Sequence, residues 1–317
     1  MDGIINIYKP KEWTSHDIVA KIKKITGEKV GHTGTLDPLA QGVLPILIGK
    51  GTQCSKYLVN HDKKYRVELK LGKRTETLDA EGKIIEEKEI PQNMLEQSNK
   101  SNIEKTLKTF EGEIEQKPPI YSAIKVKGKK LYEYARKGQE VEIPTRKITI
   151  YSIELKQIKK EKNIIIFDVY CSKGTYIRTL CEDIAKKLNT IGYMQNLLRI
   201  QVGEFNIKDS ITLRMENKTD FKPYIPADKI VPEFVISTEP TDGGIMLENI
   251  EKNIITIEKI FSKHPKVNIE QSKIKYFLNG VKTTQNLEDG IYRIYTNNKF
   301  IGTGTIKEKL LKRDIII

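Results

Sequence analysis

Two hydrophobic periods alternate along the chain, and the switches between them mark out the elements. Gly3 to Tyr8 (GIINIY) is a short apolar run that predicts a buried strand, ended at Lys9-Pro10 because proline cannot donate to a ladder. Ile18, Val19, Ile22 and Ile25 then share one helical face behind Thr14 to Asp17 (TSHD), a capping-box pattern, so the spacing predicts a helix over Ser15 to Thr26 closed by Gly27. Val43 to Ile48 predicts a second buried strand, with a short helix after it around Thr52 to Asn60. From Lys64 to Leu71 the pattern alternates strictly, with Tyr65, Val67, Leu69 and Leu71 on an inner face and Arg66, Glu68 and Lys70 on the outer one, a half-buried strand. Asp79 to Gly82 supplies a hairpin turn.

Residues 91–110 are polar with scattered apolar positions and predict one or two surface helices, broken near Gln97 to Ser101. Lys117 to Tyr121 (KPPIY) is extended, since each proline pushes its predecessor out of the helical region. Gly128 to Gly138 reads as a short basic helix, and Ile148 to Leu155 and Ile164 to Tyr170 as strands joined by a Lys-rich tip. Ile177, Leu180, Cys181, Ile184 and Leu188 form a helical stripe, with Thr175 as the expected cap and Arg178 in the first turn. Leu197 to Phe205 and Ile211 to Leu213 follow as strands, whereas Val231 to Ile254 shows no clean period and reads as a linker or insertion. Beyond about Lys266, a helix over Gln271 to Leu278 and strands at Gly290 to Tyr295, Phe300 to Ile306 and Asp314 to Ile317, turning at Asn297-Asn298, predict a small strand-rich domain.

Composition narrows the class. A chain of 317 residues, 38% hydrophobic, can bury a core in each of two domains. It has neither a bilayer-length apolar run nor a signal-peptide pattern at its start, and three widely spaced cysteines fit reduced thiols rather than a zinc site. The expectation is a cytoplasmic protein without a metal. Lys plus Arg number 55 against 42 acidic residues, a formal charge of +13 that favours a polyanionic partner.

The candidate chemistry centres on Gly31 to Pro45 (GHTGTLDPLAQGVLP), where three glycines and Pro38 surround Asp37. Local chemistry leaves two readings of Asp37 open, a turn-forming carboxylate or a functional one. Arg178 is disfavoured by the dipole of its own helix start, which leaves two readings open, a cation answering a carboxylate or phosphate and a surface arginine that needs no partner. In GKKLYEYARKG, Lys129, Lys130, Arg136 and Lys137 interleave with Tyr132 and Tyr134, a mixture that suits an RNA groove or a surface helix with inward tyrosines.

Taken together, INIYKP, the Asp37 loop, KKYRVELKLGKRTETLDAEG and SKGTYIRTLCEDI resemble the TruB-type tRNA pseudouridine synthases, with KPPIYSAIKVKGKKLYEYARKG extending the match. The resemblance implies an α+β fold: a pseudouridine synthase domain with a mixed, largely antiparallel central sheet flanked by helices, plus a small β-barrel-like PUA domain. It implies boundaries at 1–230, with an RNA-binding insertion at about 91–145, an irregular linker at 231–265, and the PUA-like domain at 266–317. It makes Asp37 the catalytic carboxylate, Arg178 its cationic partner and Tyr65 the active-site tyrosine. Lys9, His32, Thr35, Leu36, Tyr121, Lys130, Tyr132, Arg136, Tyr176 and Leu198 become expected substrate contacts, with Lys9 and Pro10 chiefly structural at the site's rim. The implied activity is isomerisation of uridine 55 in the TΨC arm of tRNA, with no cofactor, no membrane and no obligate protein partner, by a chain acting as a monomer. Where many members read LRRT, Leu197 to Ile200 reads LLRI, which removes one arginine from that strand.

Overall fold

A computed structural model describes residues 1–91, 93–213, 234–236 and 243–317. The principal elements of the first part are β1 (Gly3–Lys9), α1 (Ser15–Thr26), β2 (Gln41–Ile48), β3 (Lys63–Leu71), α2 (Lys100–Lys108), β4 (Gly112–Gln116), α3 (Leu131–Arg136), β5 (Arg146–Lys159), β6 (Ile164–Cys171), α4 (Ile177–Lys187), β7 (Gly192–Val202), β8 (Ile211–Leu213) and β9 (Phe234–Ile236). They build one mixed sheet in the order β9-β8-β1-β2-β7-β3-β6-β5-β4. The pairs β1/β8, β2/β7 and β8/β9 are parallel and the rest of that path is antiparallel. This is the mixed, largely antiparallel sheet expected from the sequence.

The central strands β1 and β2 are buried throughout, which explains why they read as continuous apolar runs rather than alternations. One face of β1 and β2 packs against Ile18, Val19 and Ile22 of α1, and the other against a cluster reaching Phe261 and Tyr295. Helix α1 begins where the capping box placed it: Thr14 Oγ1 accepts from the Asp17 N–H and the Asp17 carboxylate accepts from the Thr14 N–H. Along β3, Tyr65, Val67 and Leu69 face a core closed by Ile103 and Leu107 of α2 and Leu180, Cys181 and Ile184 of α4.

The opposite side of β3 departs from the half-buried expectation. Arg66 and Glu68 are also buried, Arg66 in a bidentate pair with Asp168 at 2.7 and 3.0 Å, and Glu68 with Lys159 at 3.0 Å and Asn196 at 2.6 Å. Cross-strand partners satisfy these charges within the sheet, so alternation in polarity did not translate into solvent exposure. Residues 91–110 hold one α-helix, α2, entered through a 3-10 turn at Gln97–Asn99.

The stretch expected to be an irregular linker is partly regular. Within its described residues lie α5 (Gly243–Asn253), a short strand Ile255–Thr256 paired with β1, and α6 (Ile257–Ile260), while 231–233 and 237–242 lie outside the described residues. Ile250, Ile257 and Phe261 dock this segment, with Ile254 partly buried between them, at a helical spacing that the reading as a linker passed over.

The C-terminal part comprises β10 (Lys266–Asn268), α7 (Gln271–Leu278), β11 (Thr283–Thr284), β12 (Gly290–Thr296), β13 (Lys299–Lys307) and β14 (Leu310–Ile316), in a five-stranded curled sheet ordered β10-β12-β13-β14-β11. Its hairpin turns at Asn297 and Asn298, both at positive φ (46° and 61°), the geometry a two-residue hairpin favours. Tyr295, Phe300 and Ile315 complete the cluster against Ile4, Tyr8 and Leu198, so the two sheets share a hydrophobic core. No helix among the described residues is long and apolar enough to cross a membrane.

Candidate active site

The Asp37 loop is the tip of a hairpin. The short strand Val30–His32 pairs with β2 at Val30↔Ile48, Gly31↔Leu47 and His32↔Ile46, and residues 33–40 connect the two. Pro45 falls between that pairing and the Gln41–Gly42 contact with β7 on one edge of β2, and lies opposite Asn6 of β1 on the other. The loop's backbone is then fastened residue by residue. Ser15 Oγ accepts from the Leu36 N–H at 2.8 Å and donates to the Leu36 carbonyl at 3.1 Å. The Glu12 N–H donates to the Pro38 carbonyl at 2.9 Å, and the Ala40 N–H to the Asp37 carbonyl at 3.0 Å. Lys9, fully buried, donates through Nζ to the carbonyls of Pro10, Trp13 and Pro38 at 2.7, 2.5 and 3.3 Å. Burial lowers the pKa of the Lys9 ammonium to about 7, with the Asp37 charge acting the other way. Lys9 therefore clamps the peptide that follows Asp37 and lies behind the cavity rather than in its wall.

A second clamp comes from β7. Arg199 is 1% exposed, and its guanidinium donates to the carbonyls of Val43 (2.7 Å), Gly34 (3.0 Å) and Thr35 (3.4 Å) while facing the Tyr65 hydroxyl. Register explains the meeting, because Arg199 lies opposite Tyr65 of β3 on one side and Gly42 of β2 on the other. The fit at Gly42 excludes a side chain: its φ is +106°, and a Cβ there would come within 2.2 Å of the Arg199 carbonyl oxygen. Burial lowers the pKa of Arg199 and raises the Tyr65 hydroxyl to about 12, so Tyr65 stands in the site as a neutral phenol.

Arg178 does meet carboxylates, and it meets two. Its guanidinium is 3.4 Å from Asp37 and 3.4 Å from Asp79, and it also donates to the Tyr121 carbonyl at 3.0 Å. Asp79 is 3% exposed and accepts from Thr77 Oγ1 at 2.6 Å and the Glu81 N–H at 3.1 Å, whereas the Asp37 side chain is 42% exposed. The buried pair with Asp79 thus fixes the guanidinium, and its remaining edge is presented to an accessible Asp37. The helix that carries Arg178 starts differently from the expectation. Its N-cap is Tyr176, and Thr175 donates its hydroxyl back to the Ser172 carbonyl instead of capping. The Tyr176 backbone is held by Gln116 of β4, whose amide accepts from its N–H at 2.8 Å and donates to its carbonyl at 3.0 Å.

These groups line a cavity of about 450 Å³. Asp37, Tyr65 and Arg178 all reach it, as do the expected contacts Thr35, Leu36, Tyr121, Tyr132 and Tyr176. Lys130 and Arg136 stand behind Tyr132, 5.3 and 5.4 Å from its ring centroid, and the Lys130 ammonium donates to its hydroxyl at 3.1 Å. Tyr134 instead packs inward, donating to the Val126 carbonyl at 3.1 Å. His32 braces the loop's entry, its Nδ1 accepting from the Gly34 N–H at 3.3 Å, and burial lowers its pKa so that it is neutral at neutral pH. Leu198 is the expected contact that the structure turns away. It is 3% exposed in the core shared with Tyr8 and Val43, because its neighbours Leu197 and Arg199 take the cavity face of β7.

The residues missed by the sequence reading are Asp79, Gln116, Arg199 and Lys63, the last also lining the cavity. Asp79 was assigned to a turn, and Gln116 lies in a short strand too polar to register. Arg199 is the arginine that LLRI retains, and an arginine enclosed by apolar neighbours on a central strand was the one available signal.

Comparison with known proteins adds three family matches: residues 21–177 match the TruB family pseudouridylate synthase N-terminal domain, 178–218 the tRNA pseudouridylate synthase B C-terminal domain, and 265–312 the pseudouridine synthase II TruB C-terminal domain. Among curated proteins, tRNA pseudouridine synthase B of Caldanaerobacter subterraneus is 42% identical over 98% of this chain and 98% of its own length. The protein of the same name from Clostridium kluyveri is 44% identical over 97% of this chain and 96% of its own. Among solved structures, one from a Cbf5-Nop10-Gar1 complex superposes with a TM-score of 0.62 at 24% identity, covering 99% of this chain and 84% of that one, a likeness of fold. Another, from an H/ACA ribonucleoprotein bound to a substrate RNA containing 2'-deoxyuridine, gives 0.60 at 24% identity, with coverage of 99% and 83%.

Proposed function

Because the chain belongs to the TruB family of pseudouridylate synthases, we propose that it isomerises the uridine at position 55 in the TΨC arm of tRNA, with Asp37 as the catalytic carboxylate. The observation that carries this reading is the convergence, in one cavity, of an accessible Asp37, the Arg178 that orients it and a buried neutral Tyr65. A folded arm hides its uridine, so the nucleotide must first be turned out of the stack, at a cost of a few kcal/mol. Tyr121, Tyr132 and Tyr176 offer aromatic surface for the displaced bases, and Lys130 and Arg136 offer charge for the phosphates beside them.

The reaction breaks the bond from ribose C1′ to uracil N1, rotates the base and joins C1′ to C5. The C5 proton leaves and N1 gains one, so atoms and electrons balance without an oxidant or hydrolytic water. Asp37 serves either by adding to C1′ as the base departs or by taking a proton from the sugar, and both roles need a carboxylate that stays ionised and aimed. Arg178 supports both conditions, and the rigid backbone around Asp37 supports the second. Tyr65, protonated up to about pH 12, enters as a neutral phenol that packs on the base and relays a proton rather than as a standing phenolate.

Tritium at uracil C5 of an unmodified tRNA transcript tests the substrate. The chain is expected to release one equivalent per transcript, and replacing the position-55 uridine by cytidine should abolish release. Continued release from the replaced transcript would overturn the assignment.

A further inference from the structure

A second cavity, of about 600 Å³, lies between the large sheet, α6 and the C-terminal sheet, and the proposed reaction makes no use of it. It sits on the same strand pair as the catalytic cavity. Tyr65 lies opposite Arg199 in the first, and the β3/β7 ladder runs on through Lys63↔Val202 to the Gly203 N–H donating to the Asp62 carbonyl at 3.0 Å, where His61 and Gly203 line the second. His61 lies four positions before Tyr65, at most about 13 Å at ~3.3 Å per residue. A polyanion leaving the first cavity past Lys63 therefore reaches the second within a few nucleotides.

Its walls suit a planar heteroaromatic ring with polar edges. Tyr57 meets Phe261 edge to face at 5.1 Å, Phe261 lies 5.5 Å from the His264 ring, and Phe205 adds apolar surface. Two imidazoles stand in this aromatic wall, and neither the His61 nor the His264 ring hydrogen-bonds to a described residue; His61 Nδ1 is shut off against Gly203, which leaves its Nε2 edge for the cavity. Gly203 admits the His61 ring, since a Cβ there would come within 2.2 Å of Nδ1. At the rim, Lys263 is neutralised by Glu204, but Lys259 has no carboxylate partner among the described residues. A volume of this size is ordinary for a small-molecule or single-nucleotide site.

We propose that this cavity holds an unpaired nucleotide of the same RNA whose target uridine occupies the catalytic cavity. The base lies against Tyr57, its polar edge meets His61 Nε2 and the His264 ring, and its phosphate faces Lys259. A purely apolar protein side chain would leave both imidazoles and the lysine unanswered. The inference rests on RNA being the substrate, and it adds a recognition site outside the catalytic centre.

The test is photo-crosslinking of the full chain to tRNA transcripts carrying 4-thiouridine or 6-thioguanosine, followed by peptide mapping. Crosslinks are expected within residues 255–264 in addition to those around the catalytic cavity. The Lys259→Ala/His264→Ala double variant should lose the former, bind the transcript about tenfold more weakly, and keep its rate of C5 tritium release at saturating RNA. Crosslinks confined to the catalytic cavity, as expected if a protein segment fills this space instead, or unchanged affinity in the double variant, would overturn the proposal. Tritium release by the parent chain is scored separately: its absence would count against the proposed reaction, whereas absent crosslinks from an active chain count against this cavity alone.

Discussion

Asp37 has few side-chain contacts of its own, and its position is set by buried cations that bind the backbone on either side of it. Arg199 grips the carbonyls of Gly34 and Thr35 before it and Lys9 the carbonyl of Pro38 after it. Replacing Arg199 by Met leaves three carbonyls short of a donor, so the variant should lose about 1–3 kcal/mol of stability in urea denaturation. Its C5 tritium release should fall in kcat more than in KM, because the cavity survives while the loop loses its anchor. Lys9 makes a prediction in pH. Its folded pKa of about 7 lies below the ordinary lysine value of roughly 10.4, so between those limits the unfolded chain holds more protons and stability rises with pH. Measured against Lys9→Met, whose remaining ionisable groups are the same, the parent should gain about 2 kcal/mol from pH 7 to pH 9, and the difference should level off below pH 7, where folded and unfolded chains both hold the proton. A flat difference in denaturation free energy over that range would contradict the account of Lys9.

At the scale of elements, the geometry of the Asp37 loop depends on how closely β2 approaches β7. Gly42 permits that approach, and Gly42→Ala would press a methyl against the Arg199 backbone at a φ that an L-residue strains to hold. The expected cost is about 2 kcal/mol or more, read from thermal unfolding, together with loss of activity as the loop shifts. Sequence legibility followed the same division. Helix α1, α7 and the strands β1 and β8 were legible because caps, glycines and period announce them, and Tyr65 faces inward as its alternation required. Polar positions on β3 misled, because cross-strand partners such as Asp168 are invisible until the sheet is assembled. The same reason hid Arg199, Asp79 and Gln116. Each acts on a partner more than 50 residues away, through a carbonyl or carboxylate whose availability the local pattern does not record. Leu198 went astray for the opposite reason, since motif alignment ignores the period of two that turns it inward.

On the scale of the whole molecule, the described part of the chain builds two sheets around a shared hydrophobic core, with the catalytic cavity on one side of the β3/β7 pair's inner edge and the second cavity at its end. The positive charge of the chain, +13, suits a polyanionic substrate, and the proposed reaction assigns the chemistry to one carboxylate. That claim is open to a direct measurement: C5 tritium release from an unmodified tRNA transcript by the full chain and by Asp37→Asn, which keeps the size of the side chain and removes its charge. The account predicts that the variant still binds the transcript with an affinity within about threefold of the parent, yet releases no tritium above background under single-turnover conditions. Release at a rate comparable to the parent would contradict it, since the reaction would then need no carboxylate at position 37.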